Sequence, residues 1–484
     1  MEKAKKSKEK SLPRNALASG LQTGTRLLCA LVTYPYLARI LRVEQLGQYD
    51  FAAAVVSWAA LVAGLGIYAY ATREGAKKRH DPQALSRFAS EVLVINLAAT
   101  LLAYLGLAAG LLFSSKLRAY APLIWTLSTS LLFTTLGCEW LYAIHEEYGY
   151  LAIRNIGCQV LSLVLLLTLV KDDGDLLLYA WTTVVASAGA NLLNLVRLRE
   201  YCTWSLTWRF SWQQHLPAIM VLFANAVVNL LYASADVAQL GLLASDYYVG
   251  LYSVASKVTA LLKQLLGAVI VVSVPRLACL YGQKGGASFQ RLARQLADLL
   301  AALVLPAACG LFALSEQVVV LTADLDFAPA AGAMSLLGLA LVFSLFSWFY
   351  MAAVLVPARQ EKAALLAVSL AAVVNVGLNW LLIPAYQATG AAAATLLADI
   401  AACAACCWLA KKEARLLPSW KKLASSLLGC LYVYLVCQLL LTKGLGPGAT
   451  VFWSVLWAAP GYFVILHLCG NRILAEFKHG LRQE

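Results

Sequence analysis

Charge is scarce in this chain. Only 13% of its 484 residues are Asp, Glu, Lys or Arg, against about 25% in a soluble globular protein. Hydrophobic residues make up 61% and gather in runs of about twenty or more, which excludes a water-soluble globule and predicts membrane spans. Lipid cannot satisfy a backbone N–H or C=O, so those runs must be helices. Enzyme signatures are missing too. No GxxxxGK[ST] loop is present, which excludes ATP binding through a P-loop. His145-Glu146-Glu147 lacks the second His of a zinc-protease helix. Asp324-Leu325-Asp326 imitates the DxD of sugar-nucleotide enzymes, but falls in a loop expected outside the cell, where no nucleotide sugar is expected. The twelve cysteines lie almost all within apolar runs, and Cys403 and Cys406 have CxxC spacing with no second pair. Neither a disulfide framework nor a metal site is therefore expected. No secretory cleavage pattern follows the lysine-rich stretch from Met1 to Lys10, so the first helix is expected to stay uncleaved.

What is present is a regular alternation. Apolar segments run at about 15–41, 49–71, 88–113, 121–144, 151–170, 176–197, 215–240, 247–273, 296–314, 330–356, 362–384, 389–410, 421–442 and 448–469. Of the 38 Lys and Arg, 29 lie in the two tails and the loops after even-numbered segments. Six lie in the loops after odd-numbered segments and three within segments. The net charge of +13 is therefore a topology signal rather than a nucleic-acid patch, and both termini are expected in the cytoplasm. Leu46-Gly47-Gln48-Tyr49 and Val249-Gly250-Leu251-Tyr252 stand 203 residues apart, as do Arg73 and Arg276. A six-helix unit thus recurs, and an even number of helices preserves its orientation. The expected fold is an all-α polytopic membrane protein with 14 transmembrane helices: two six-helix lobes in a parallel repeat plus two extra C-terminal helices. Its parts would be a basic cytoplasmic tail over 1–14, lobes over 15–210 and 211–412, and helices 13 and 14 with a cytoplasmic tail over 413–484. Parallel repeats of this kind place a transport site between the lobes.

The first segment carries Asn15, Ser19, Gln22, Arg26 and Thr33, at steps that put them on one helical stripe. Arg26 lies about eleven residues in, roughly 16 Å deep in a ~30 Å hydrocarbon layer. An arginine facing lipid there costs several kcal/mol, so it should face the interior or a wet cavity. The seventh segment repeats the device with Asn225, Asn229, Tyr232 and Asp236, and the eighth adds Lys257 near mid-membrane and Lys263 beyond it. Equivalent places in the two lobes would set these stripes facing each other across a central cleft. Packing is the competing reading: amides in membrane helices often only bond neighbouring helices, which applies to Asn225, Asn229, Asn375 and Asn379. Lys263 could equally snorkel or pair internally. Acids at depth are Asp236, Asp399, Glu139 and Asp298, each a candidate ion-pair partner or coupling site. Glu139 and Asp298 lie near segment ends and are expected to be solvated, whereas Asp399 sits mid-helix among alanines. Pro35, Pro217, Pro306 and Pro357, with Gly64, Gly66 and Gly267, mark expected kinks.

Three stretches near the start carry a resemblance: Thr33-Tyr34-Pro35-Tyr36-Leu37-Ala38-Arg39-Ile40-Leu41, Leu46 to Tyr49, and Ala71-Thr72-Arg73-Glu74. Asp236 through Gly250 to Lys257, Val274-Pro275-Arg276-Leu277, Asn375 to Asn379, Leu382-Ile383-Pro384 and Gly390-Ala391-Ala392 extend it. Together, over about 12–410, they resemble bacterial polysaccharide (O-antigen, Wzx-type) flippases. The final two helices match by position only, and Arg42 stands where that family usually has Gly. The resemblance implies the multidrug/oligosaccharidyl-lipid/polysaccharide exporter fold in the bacterial plasma membrane. It further implies alternating-access movement of undecaprenyl-diphosphate-linked oligosaccharide from the inner to the outer leaflet for O-antigen or exopolysaccharide. The expected substrate contacts are Arg26, Gln22, Asn15, Lys257, Lys263, Asn225, Asn229 and Arg73. Asp236, Asp399 and Glu139 are the ion-coupling candidates. No cofactor is expected beyond a proton or sodium gradient. Expected partners are membrane lipids and the pathway's polymerase and glycosyltransferases. A same-fold exporter of cationic drugs would favour acids in its cleft, so Arg26 and Lys257 argue against it. A membrane glycosyltransferase or polymerase would carry a sizeable external catalytic loop.

Overall fold

The computed structural model describes residues 12–202, 212–282, 286–411 and 420–471. Most of the expected basic tail, the C-terminal tail and the expected junctions at 210/211 and 412/413 lie outside the described residues. Among the described residues there is no strand. The helices are α1 (Leu12–Ile40), α2 (Val43–Gly64), α3 (Ile67–Ala76), α4 (Pro82–Phe113), α5 (Ser115–Ala119) and α6 (Ala121–Gly137). They continue with α7 (Glu139–Ile144), α8 (Tyr148–Leu169), α9 (Leu176–Arg197), α10 (Trp212–Leu243), α11 (Asp246–Gly282) and α12 (Gly286–Ala313). The remainder are α13 (Ser315–Thr322), α14 (Ala331–Phe349), α15 (Glu361–Ala410), α16 (Trp420–Leu441) and α17 (Pro447–Leu468).

By length and hydropathy twelve of the described helices can cross a membrane, rather than the expected fourteen. Two physical reasons account for the difference. The polar stripe of α1 keeps its hydropathy low, so α1 is not among the twelve. The segments expected at 362–384 and 389–410 form one element, α15, bent where Gln387 adopts φ 47°, ψ −124°. That backbone suits glycine at the first central position of a mirror-image turn. A Cβ on Gly390 would meet the Leu382 carbonyl oxygen at 2.3 Å, so the arms of the bend lie close. Pro35, Pro217 and Pro306 sit inside continuous helices and Pro357 lies in the turn before α15, while further breaks fall at Leu65 (φ 45°) and Gly66 (φ 70°) between α2 and α3 and at Cys138 (φ 41°) between α6 and α7. Gly267 is a packing position instead: a Cβ there would strike the Trp348 ring.

Contacts divide the chain into a unit ending at Leu230 and a unit beginning at Leu231, within α10. In the first, Tyr70, Phe88, Leu141, Tyr142 and Ile219 close a buried core. Asp81 caps α4, accepting from the Gln83 and Ala84 amides at 3.0 Å, while Pro82 occupies the first turn where no N–H is needed. In the second, α11, α12, α14 and α15 share the core around Ile270, Leu300, Leu345 and Phe349. A further cluster of Leu299, Val433, Cys437 and Tyr462 fastens α16 and α17 to α12. Large apolar side chains such as Leu101, Leu102, Leu105, Leu112 and Phe113 on α4 are exposed. In water such a surface would aggregate, whereas in lipid it meets its own solvent. α1 ends at Ile40 and α10 at Leu243, while α2 starts at Val43 and α11 at Asp246, so both pairs of ends stand 203 residues apart.

Candidate functional site

In the first unit, α1 packs along α8, and a cavity of about 230 Å3 opens between α1, α8 and α9. Arg26 and Thr33 reach it from α1, two turns apart on one face. Gln159 and Ser162 reach it from α8, and Tyr179, Thr182 and Thr183 from α9. Among the described residues no hydrogen bond or ion pair engages the Arg26 guanidinium. Its five N–H donors are therefore available to a ligand. Gln22 and Asn15, half-buried on the same helix, lie along the stripe but outside this cavity. Arg73 is exposed in the last turn of α3, where its Nε donates to Glu74 and Lys77 pairs with the same carboxylate. It does not line the cavity.

Glu139, a coupling candidate in sequence, is an ion-pair partner in the structure. Its carboxylate accepts from Arg154 Nη2 at 2.8 Å, and Arg154 Nη1 donates to the Ala190 carbonyl at 2.9 Å. Arg154, which the charge count placed in a loop, is only 4% exposed inside α8. A buried arginine needs a counter-charge, and Glu139 supplies it. Arg42, the departure from the family pattern, pairs with Asp173 at 2.7 Å at the exposed end of α2.

In the second unit, Asp236 on α10 is the centre of a buried polar cluster. Its Oδ1 accepts from Asn375 Nδ2 (2.8 Å) and Asn379 Nδ2 (2.7 Å), and its Oδ2 from Tyr252 Oη (2.6 Å) and Thr395 Oγ1 (2.9 Å). Asn379, wholly buried, also donates to Gln239 Oε1 at 2.8 Å, while its own Oδ1 has no hydrogen-bond partner. One turn before Asp236, Tyr232 donates to Asp399 Oδ1, and the Lys263 ammonium sits 5.7 Å over the Tyr232 ring. Asp399 is 3% exposed and within electrostatic reach of Lys263. Lys263 thus acts as counter-charge to an internal carboxylate, the pairing that the sequence left open. Lys257 is half-buried on the same helix. Asn225 and Asn229, earlier on α10, are exposed, and Asn229 Nδ2 donates to Asn225 Oδ1 at 2.7 Å. Asp298, expected in water, is buried on α12 and pairs with Lys422 of α16 at 3.1 Å.

Three positions of the α1 and α10 stripes correspond at the 203-residue spacing: Gln22 with Asn225, Arg26 with Asn229, Thr33 with Asp236. Tyr49 and Tyr252 correspond as well, and their hydroxyls donate to Thr183 and to Asp236. Sequence reasoning missed Gln159, Ser162, Thr182 and Thr183 in one unit and Tyr252, Gln239 and Thr395 in the other. Thr395 carried a signal, as a hydroxyl closing the run Ala391 to Ala394 one turn before Asp399.

Residues 12–280 match the family described as "Polysaccharide biosynthesis protein". A curated relative, "Putative O-antigen transporter" of Escherichia coli (strain K12), is 21% identical over 270 residues. That alignment spans 55% of this chain and 65% of the relative's own length. Among solved structures, "Lipid II flippase MurJ, inward closed conformation" superposes with TM-score 0.75 at 14% identity, covering 95% of this chain and all of that one. A multidrug resistance MATE family transporter of the MOP superfamily, inward-facing, superposes with TM-score 0.61 at 15% identity over 81% of this chain and 94% of its own. At such identities these two likenesses show the shared fold.

Proposed function

The chain belongs to the polysaccharide biosynthesis protein family, and from that premise we propose that it is a flippase for a lipid-linked oligosaccharide. It carries undecaprenyl-diphosphate-linked repeat units from the cytoplasmic to the outer leaflet of the bacterial plasma membrane by alternating access. Both termini lie in the cytoplasm in this reading. One observation carries it. Arg26, which its position in the first segment puts at membrane depth, is exposed on a cavity whose lining holds no carboxylate to neutralise it. A guanidinium so placed is strongly unfavourable unless a ligand completes it, and a diphosphate offers short, charge-assisted hydrogen bonds. The polyprenyl tail can meanwhile stay in the bilayer. A cationic drug would find repulsion at the same place, which disfavours the exporter alternative.

The coupling ion in this proposal binds at Asp236. The chemistry of the cluster fits a small monovalent cation. Asp236 supplies the negative charge, and the unpartnered Asn379 Oδ1 is a buried acceptor in need of a donor or a cation. An entering cation takes the place of the donors that Asn375, Asn379, Tyr252 and Thr395 direct at the carboxylate. A proton on Asp399 is the second route, because Tyr232 and Lys263 surround that carboxyl.

Complementation in a strain lacking its own flippase tests the reading. Arg26→Ala and Lys257→Ala are each expected to abolish surface glycan while membrane protein levels hold. Wild-type glycan in both variants would remove the assignment of these cations to the substrate.

A further inference from the structure

We infer that the wall opposite Arg26 is a subsite for the first sugar of the lipid-linked glycan, recognised through its hydroxyl groups. The inference rests on the flippase reading and specifies its substrate contacts. The cavity of about 230 Å3 holds roughly eight water volumes of ~30 Å3. That is enough for the bulk of one pyranose ring, and because the cavity is not enclosed the rest of a glycan can extend out of it.

The hydrogen-bond bookkeeping of its wall is one-sided. Ser162 Oγ donates its proton to the Thr182 carbonyl at 2.6 Å. Thr182 Oγ1 donates to the Tyr179 carbonyl at 2.8 Å, and Thr183 Oγ1 to the same carbonyl at 3.2 Å. Each hydroxyl has therefore spent its only donor on backbone and faces the cavity as an acceptor. Thr183 also accepts from Tyr49 at 3.1 Å, which fixes its rotamer. Gln159, whose amide no hydrogen bond engages among the described residues, can both donate and accept. Arg26 is donor-only. The cavity thus sets the Arg26 cation against a row of acceptors, with Thr33 and Gln159 able both to donate and to accept. A sugar attached to a diphosphate is complementary on both counts, with anionic oxygens at one end and hydroxyl donors along the ring. A bare phosphate would leave the acceptor wall unpaired. Buried acceptors left unpaired discriminate strongly against the ligand that lacks the group.

The test uses the full chain in lipid nanodiscs and two probes: a short-chain polyprenyl diphosphate, and the same lipid bearing one hexose. The wild type is expected to bind the hexose-bearing lipid about tenfold more tightly than the sugarless one, the gain of one or two net hydrogen bonds. Gln159→Leu and Thr182→Val are expected to bring that ratio close to one, and Thr182→Ser to keep it. Equal ratios in the wild type and in variants with wild-type melting temperatures would overturn the subsite and leave the flippase reading standing. Binding of neither lipid by the wild type would overturn both. A variant that melts early is replaced by Ser162→Ala, read in the same way.

Discussion

At the scale of single residues, what separates the intramembrane charges is whether each meets an opposite charge inside the protein. Arg26 does not, Lys263 faces Asp399 across the Tyr232 ring, and Arg154 is held by Glu139. Periodicity made the polar positions legible, since a stripe depends only on spacing along one helix. It could not show which stripe residues find partners, because those partners come from far along the chain. Asp236 meets Asn375 and Thr395 more than 130 residues away. The proposed coupling is tested at the same residues. In vesicles with sodium and pH gradients imposed separately, Asp236→Asn is expected to abolish stimulation by the cation gradient, because the substitution removes the cluster's single negative charge. Asp399→Asn is expected to weaken the response to the pH gradient. Variants that keep the wild-type response to both gradients would place coupling elsewhere.

At the scale of elements, apolar runs located the helices because backbone satisfaction in lipid leaves no other structure. Breaks were harder to read. Pro35, Pro217 and Pro306 fall inside continuous helices, whereas Leu65 and Gln387 turn the chain with no proline at the turning residue. The last two helices look like an appendix in sequence, yet α16 is tied to α12 by the buried Asp298–Lys422 pair as well as by the Val433 and Tyr462 packing. Asp298 was expected in water because it lies close to the end of its apolar segment. Its burial follows from α16, which lies more than a hundred residues later. Removing one partner of a buried pair costs ~3–5 kcal/mol, and less here because the Lys422 side chain keeps 23% of its exposure. Lys422→Ala is therefore expected to lower the melting temperature of the purified protein by several degrees. Adding Asp298→Asn should recover most of that loss, since a neutral amide no longer needs the ammonium. A double variant as unstable as the single one would show that the aliphatic stem of Lys422, not its charge, holds α16.

At the scale of the whole molecule, the chain was legible in proportion to how local each signal is. Charge asymmetry between alternate loops and the recurrence at 203 residues need no knowledge of packing. The recurrence reappears in the helix ends of α1 and α10 and of α2 and α11. The pairing of cavity walls does need it, which is why α8 and α9 contributed nothing to the reading of the site from sequence. Orientation in the membrane is the widest claim resting on local signals alone, because 29 of the 38 basic residues assign the tails and alternate loops to one side. Two positions on opposite sides of that assignment can be probed without disturbing the fold. Gly174 precedes α9 and has open space where a side chain would begin, and His80 is exposed between α3 and α4. In a background with the exposed Cys279 and Cys469 replaced by serine, Gly174→Cys is expected to react with a membrane-impermeant maleimide in intact cells. His80→Cys is expected to react only after permeabilisation. The reverse pattern would invert the membrane orientation and with it the direction of transport. Labelling of both in intact cells would mean that one of these loops crosses or re-enters the bilayer, so that loop charge no longer reports the sidedness of the chain.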